Sequence, residues 1–360
     1  ITEELVRTII GYDNYELAQK NLDETIAFLK GSYLNESEKE EISAVLRTMY
    51  AKAMPYFEKG KEENPVYHHT QVLYNMALLA VGEHCSYSVI KNLLALALLH
   101  DAGSGLCSCA KVVNETIVKA FEKAEQESDI QKKAELLKEA EALSQQGMKF
   151  RLEHMDKGPE LVSSIMADLV KEGLFSASDV HLINRAVVIH DYPSIEKNLN
   201  GLREKGKPVE FKAGTFLLPL NDPAIGTLVT LLREADRYFM LSVQGAIKDL
   251  IFKQKKDADL VIDAAAVLEQ GRKNIKSHKK EYLLYQKAGQ DDGKFLGDSL
   301  YRTHTGFALF KSAEKRYDGG VSSWLPNVST VDGGKPSADV ESVICYLNKT
   351  LIDELQEEIK

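Results

Sequence analysis

Imidazole and carboxylate groups recur along this chain at positions where a metal ion could use them: His68-His69, His100-Asp101, His154, His190-Asp191 and Asp236. These are ligand types that Fe, Mn, Zn, Ni and Mg accept. The chain has nine histidines, and these five lie in or beside apolar helical stretches. The pair His100-Asp101 ends the run from Val89 to Leu99, which is apolar except for Lys91 and Asn92. A helix so apolar is buried on most sides. Two ionisable residues at its buried end need partners, because an unpaired buried charge costs several kcal/mol. A metal ion is one such partner.

Helices must carry these groups. Residues 14–31 and 36–59 read as amphipathic helices, the second with Asn35 and Ser37 as capping candidates. Pro65 opens the next segment, with His68 and His69 near its first turn and an apolar stripe from Val72 to Ala80. The buried helix 88–101 stops at Gly103-Ser104-Gly105, which reads as a helix stop rather than a phosphate loop. Residues 111–146, rich in Ala, Glu, Lys and Gln, read as a solvated helix or helical hairpin. Their functional alternative is a lid or a dimerisation arm, which keeps a homo-oligomer open. A helix from about 158 to 172 follows His154, and another, capped by Ser178, ends at His190-Asp191. Residues 200–221 read as a loop or small hairpin. Asp222-Pro223 is a cap followed by a first-turn proline, opening a helix through Asp236 to about Ile247. Residues 256–287 and 338–358 read as helical and 289–337 as irregular.

With 44% apolar and 28% charged residues the composition is that of an ordinary soluble protein. The net charge of −9 argues against general nucleic-acid or anionic-membrane binding through bulk charge, while leaving room for a local basic pocket. No apolar run approaches the roughly 20 residues that cross a bilayer, and no signal peptide is visible. Cys85, Cys107, Cys109 and Cys345 are too few and scattered for a disulfide framework, so a reducing, cytoplasmic setting fits best. Cys107-Ser108-Cys109 looks like half a metal site without its other half and reads as structural.

The order His, His-Asp, His, His, Asp resembles the HD superfamily of metal-dependent phosphohydrolases. The matching pieces lie between about residues 60 and 250: Tyr67-His68-His69-Thr70-Gln71-Val72, Ala97-Leu98-Leu99-His100-Asp101, Glu153-His154 with Lys157-Gly158-Pro159-Glu160, Val188-Ile189-His190-Asp191, and Arg233-Glu234-Ala235-Asp236-Arg237. The resemblance implies an all-α fold: an HD-type core over 61–252 with a helical insertion at 111–146, N-terminal helices over 1–60 and a C-terminal extension over 253–360. It implies that His100, Asp101, Asp236 and one of His68 and His69 hold a primary metal. Asp101 would bridge to a second metal held by His154 and His190. The spacing to Val72 selects His68, whereas the pairing with Thr70 selects His69. Whichever is not a ligand would sit at the pocket mouth and could protonate a leaving group. Asp191 is either a ligand or a helix-end residue that orients His190.

Two such metals can bind a phosphoryl group, acidify a shared water and neutralise charge at phosphorus. Arg233 and Arg237 lie within a turn of Asp236 and are phosphate-contact candidates, Arg233 the better placed on helical spacing. Surface ion pairing is their other reading. Lys157 and Lys212 are further candidates. Many hydrolytic relatives carry a lysine shortly after the His-Asp pair, where this chain has Ser104. The Gly-Tyr-Pro signature of the cyclic-dinucleotide branch is absent. The expected function is hydrolysis of a phosphate ester, a nucleotide or other small molecule. The alternatives are a mixed-valent di-iron oxygenase resembling myo-inositol oxygenase, or a catalytically silent HD-like binding protein.

Overall fold

A computed structural model describes residues 14–61, 64–112, 114–191, 222–254, 264–287 and 293–318, with Leu260, Ile262 and a pair of two-residue strands besides. The protein is all-α, as expected. The helices are α1 (Tyr15–Lys30), α2 (Glu36–Lys59), α3 (Val66–Gly82), α4 (Tyr87–Leu99), α5 (Asn114–Gln126), α6 (Ile130–Lys171), α7 (Ala177–Ile189), α8 (Pro223–Leu241), α9 (Val243–Gln254), α10 (Ala264–Lys287) and α11 (His304–Asp318). A 3-10 turn, Ala102–Leu106, follows α4. The strands β1 (Thr330–Val331) and β2 (Lys335–Pro336) pair antiparallel. Among the described residues no helix is long and apolar enough to cross a membrane.

Caps set several helix starts. Asn35 and Glu38 form a reciprocal capping box on α2, and Asp222 accepts from Ile225 N ahead of Pro223 on α8. The cap of α7 is Ser176 rather than Ser178. Ser176 and Asp179 close a box, because a box needs a carboxylate three residues on, and Asp179 stands at that distance from Ser176.

The centre of the fold is a pair of largely buried helices. In α3 every residue from Val66 to Val81 is buried, and in α4 every residue from Asn92 to Leu99. Each leucine buried in α4 contributes on the order of 1.5–3 kcal/mol relative to exposure. Helices α1, α2, α8 and α11 also pack around α3. One contiguous set of buried apolar side chains runs from Ala18 to Tyr317.

The expected break between residues 146 and 158 does not occur. Helix α6 runs unbroken through Gly147, Gly158 and Pro159. The glycines serve contact instead: a Cβ on Gly158 would meet Val187 Cγ1 at 2.5 Å, where α7 crosses α6. Residues 114–146 form a hairpin of α5 and the first half of α6, with its own small cluster of Ile117, Phe121 and Ala140. Within 289–337, read from sequence as irregular, residues 304–318 form α11. The Glu234 carboxylate fixes the approach to α11, accepting from Arg302 N at 2.7 Å and Thr303 N at 3.1 Å. The expected loop at 200–221 and helix at 338–358 lie outside the described residues.

Candidate metal centre

Five helices deliver the ionisable groups to one place. His68 sits in the first turn of α3, His100 caps the C-terminus of α4 with Asp101 next to it, and His154 projects from the middle of α6. His190 caps the C-terminus of α7, and Asp236 lies on α8. They assemble as two donor groups, His68–His100–Asp236 and Asp101–His154–His190, each with its donor atoms within 4.8 Å of one another. Asp101 joins them. Its Oδ2 lies 3.6 Å from His68 Nε2 and 3.5 Å from His100 Nε2. Its Oδ1 lies 3.0 Å from His190 Nε2 and 3.5 Å from His154 Nε2. His68 Nε2 is also 3.6 Å from Asp236 Oδ1.

Backbone carbonyls orient three of the rings. His100 Nδ1 donates to Ala97 O at 2.8 Å, His190 Nδ1 to Val187 O at 2.7 Å and His154 Nδ1 to Phe150 O at 3.3 Å. A carbonyl only accepts, so each Nδ1 carries a proton and each Nε2 faces the centre, where the neutral ring offers a lone pair. Burial, followed by the charge of Lys248, pushes His68 down to about 4, and burial pushes His154 down to about 4, so both rings are neutral. Burial is the largest effect on His190 and acts the same way, but the hydrogen bond to Asp101, the charges of Asp101 and Asp191 and the bond to Val187 O together outweigh it and raise the ring. Burial would raise the Asp101 carboxyl, yet the charge of His100 and the hydrogen bonds from His190 and His68 hold it well below the usual range.

The donor set suits a metal. Neutral imidazoles and ionised carboxylates are the protonation states that bind Fe, Mn, Zn or Ni. His100 Nε2 is buried without a hydrogen-bond partner, a lone pair of the kind a cation would satisfy. His68, His100 and Asp236 could hold one ion, His154 and His190 a second, with Asp101 shared.

The other expected residues are placed differently. His69 is buried outside both groups, its ring stacked on Phe57 at 3.8 Å between centroids. Burial, then the neighbouring His68, push it well below the usual histidine range. It is therefore neither at a pocket mouth nor a ready proton donor. Asp191 pairs with Arg151 at the end of α7. Arg233 is buried and gives its guanidinium to Glu281, with Nη2 to Oε1 at 2.6 Å. Arg237 also reaches Glu281, at 2.9 Å, but lines the cavity over the centre. The order expected from helical spacing is thus reversed: a guanidinium on the buried face needs a carboxylate, and α10 supplies one. Lys157 is held by Leu106 O and Glu153 at 2.5 and 2.6 Å. Lys212 lies outside the described residues.

The cavity, of about 440 Å³, contains residues that spacing did not disclose. Asn64 Nδ2 donates to Asp101 Oδ2 at 2.8 Å, and Lys248 Nζ donates to Asn64 Oδ1 at 3.1 Å. Their sequence separations, 37 and 184, put both beyond any local pattern. Gly103 and Gly105 do more than stop a helix. A Cβ on Gly103 would lie 2.2 Å from His154 O, and one on Gly105 2.3 Å from Tyr56 O. The turn after Asp101 is wedged between α2 and α6, which brings Asp101 against His154. Ser104 Oγ, in that turn, is buried without a hydrogen-bond partner beside the cavity.

No family model, curated protein or solved structure matches the chain.

Proposed function

We propose that the protein is a metal-dependent phosphohydrolase of the HD type, acting on a phosphate ester of a nucleotide or other small molecule. The observation that carries this reading is the division of the Asp101 carboxylate, one oxygen toward His68 and His100 and the other toward His154 and His190. Two divalent ions held there would supply an acidified water and neutralise charge on phosphorus. In the hydrolysis the water oxygen bonds to phosphorus, the ester P–O bond breaks, and a proton from the water ends on the leaving alcohol. The carbonyls of Ala97, Phe150 and Val187 keep the imidazoles in one tautomer, and Asn64 fixes the plane of the shared carboxylate. Arg237, on the cavity wall, stabilises the charge that develops on the phosphoryl oxygens. Cys85, Cys107 and Cys109 are thiols rather than disulfides, which supports a reducing, cytoplasmic setting.

The test is turnover. The protein is loaded in turn with Mn, Ni, Zn, Mg or Fe and given a panel of nucleotides and phosphoesters, in air and without oxygen. Phosphate release independent of oxygen is the expected result. Oxygen consumption on a polyol or phosphonate, with no phosphate released, transfers the protein to the di-iron oxygenases. Nucleotide binding without turnover under any metal makes it a silent binding protein.

A further inference from the structure

The cavity wall beyond the two donor groups has a charge balance that the reacting phosphate does not explain. Lys111, Arg151, Arg237, Lys248, Lys253 and Lys273 all line the cavity, in a chain whose net charge is −9. Three of these are committed to carboxylates: Arg151 to Asp191, Arg237 to Glu281 and Lys273 to Glu269. Among the described residues, Lys111, Lys248 and Lys253 have no carboxylate partner. The contacts of the last two are neutral. Lys248 Nζ donates to Asn64 Oδ1 and lies 5.3 Å from the centre of the Phe239 ring. Lys253 Nζ donates to Gln270 Oε1 at 2.6 Å. Asp249 lines the same wall, but its Oδ2 accepts from the amides of Asn274 at 3.0 Å and Gln270 at 3.4 Å.

Lys111, Lys248 and Lys253 are half-buried on this wall, and cations gathered in a cleft raise the local concentration of anions. Burial, then the charge of Lys111, push Lys248 down to about 8 against the opposing charges of Asp249, Asp236 and Asp101, so the two cations act on each other. A single reacting phosphate does not relieve this. As a dianion, together with the Asp101 and Asp236 carboxylates, it already balances two divalent ions. Among the described residues, Lys111 and Lys253 then still have no carboxylate at ion-pair distance.

We propose that the substrate carries a second anionic group, phosphoryl or carboxylate, beyond the one that is hydrolysed, and that Lys111, Lys248 and Lys253 are its seat. The proposal rests on the phosphohydrolase reading of the same cavity. The seat is within reach of the centre, since two hydrogen bonds across one amide, that of Asn64, connect Lys248 to Asp101.

The test is calorimetric titration of the full chain loaded with Mn(II), using methylphosphonate, methylenediphosphonate and phosphonoacetate as probes. At least one two-anion probe is expected to bind about tenfold more tightly than methylphosphonate, as one added charge-assisted contact provides. The stronger of the two identifies the second group as phosphoryl or carboxylate. Lys111→Gln, Lys248→Gln and Lys253→Gln are each expected to lower that ratio toward one, with melting temperature and bound Mn(II) measured alongside. A ratio near one in the wild type overturns the proposal. So does a ratio that survives all three substitutions, which would place the preference at the metals. These outcomes leave the phosphohydrolase reading standing, whereas a chain that retains no Mn(II) overturns that reading and the proposal with it.

Discussion

The side-chain amide of Asn64 donates to Asp101 Oδ2 at 2.8 Å, the same carboxylate oxygen that faces His68 and His100. The bond holds the plane of the carboxylate so that Oδ1 points to His154 and His190. Partners that orient a metal ligand in this way typically govern about 10–100-fold in metal affinity. Asn64→Ala is therefore expected to weaken metal binding by about that factor while the helical circular-dichroism signal is retained. Competition against a fluorescent chelator measures it, and unchanged affinity would show that Asp101 is positioned without Asn64.

The two adjacent histidines of α3 should separate cleanly. His69 stacks on Phe57, and His68 faces both Asp101 and Asp236. His69→Phe keeps an aromatic ring on Phe57 and is expected to leave metal content unchanged. His68→Phe is expected to lower it. Elemental analysis of the two variants decides the matter, and a loss confined to His69→Phe would reverse the assignment.

Gly103 is predicted to be the most sensitive glycine near the centre. A Cβ there meets His154 O at 2.2 Å and Gly158 N at 3.0 Å, both backbone atoms that cannot rotate away. Gly103→Ala should cost about 1–3 kcal/mol by overpacking and should also lower metal retention, because α6 must move. Gly173, with φ of +76° and nothing within 4 Å of its Cβ position, provides a comparison. Gly173→Ala should cost roughly 1–2 kcal/mol from its left-handed backbone alone and leave metal retention intact. Urea unfolding with metal analysis distinguishes the two.

Glu41 of α2 couples the N-terminal helices to α4, accepting from Tyr87 Oη at 2.7 Å and Lys91 Nζ at 3.0 Å. Burial raises its carboxyl, but the hydrogen bonds from Tyr87 and Lys91 and the charge of Lys91 outweigh this and lower it. A lowered native pKa means that the unfolded chain binds the proton first. The stabilisation is present above the ordinary carboxyl range and is lost as pH falls through the native value. Glu41→Gln should cost about 1 kcal/mol or less near neutral pH, and the difference from wild type should shrink toward about pH 4. Urea unfolding at both pH values tests it, and a constant difference would point to packing rather than charge.

Much of the candidate centre is visible in the order of its histidines and aspartates. The buried run before His100 is equally plain, since a helix with no polar face has only the interior to occupy. Local chemistry also shows at Asn35 and at Asp222-Pro223, where cap and helix start are adjacent. What stays hidden depends on distant partners. Gly158-Pro159 suggests a break because both residues disfavour helix interiors, yet Gly158 is the flat spot on which Val187 rests. Arg233 carries no sign that Glu281, 48 residues on, will take its charge. Asn64 and Lys248 belong to the site only because α9 brings Lys248 to the residues ahead of α3, which no local period encodes.

The proposed sharing of Asp101 between two metal ions is tested most directly by metal stoichiometry, from elemental analysis after loading with excess Mn(II). The wild type should bind about two ions per chain, as two-metal hydrolysis requires. His154→Ala and His190→Ala should each reduce this toward one, and Asp101→Ala should reduce it below one, because it removes a ligand from both ions. A wild-type chain that saturates at a single ion, or an Asp101→Ala variant that still holds two, would contradict the account.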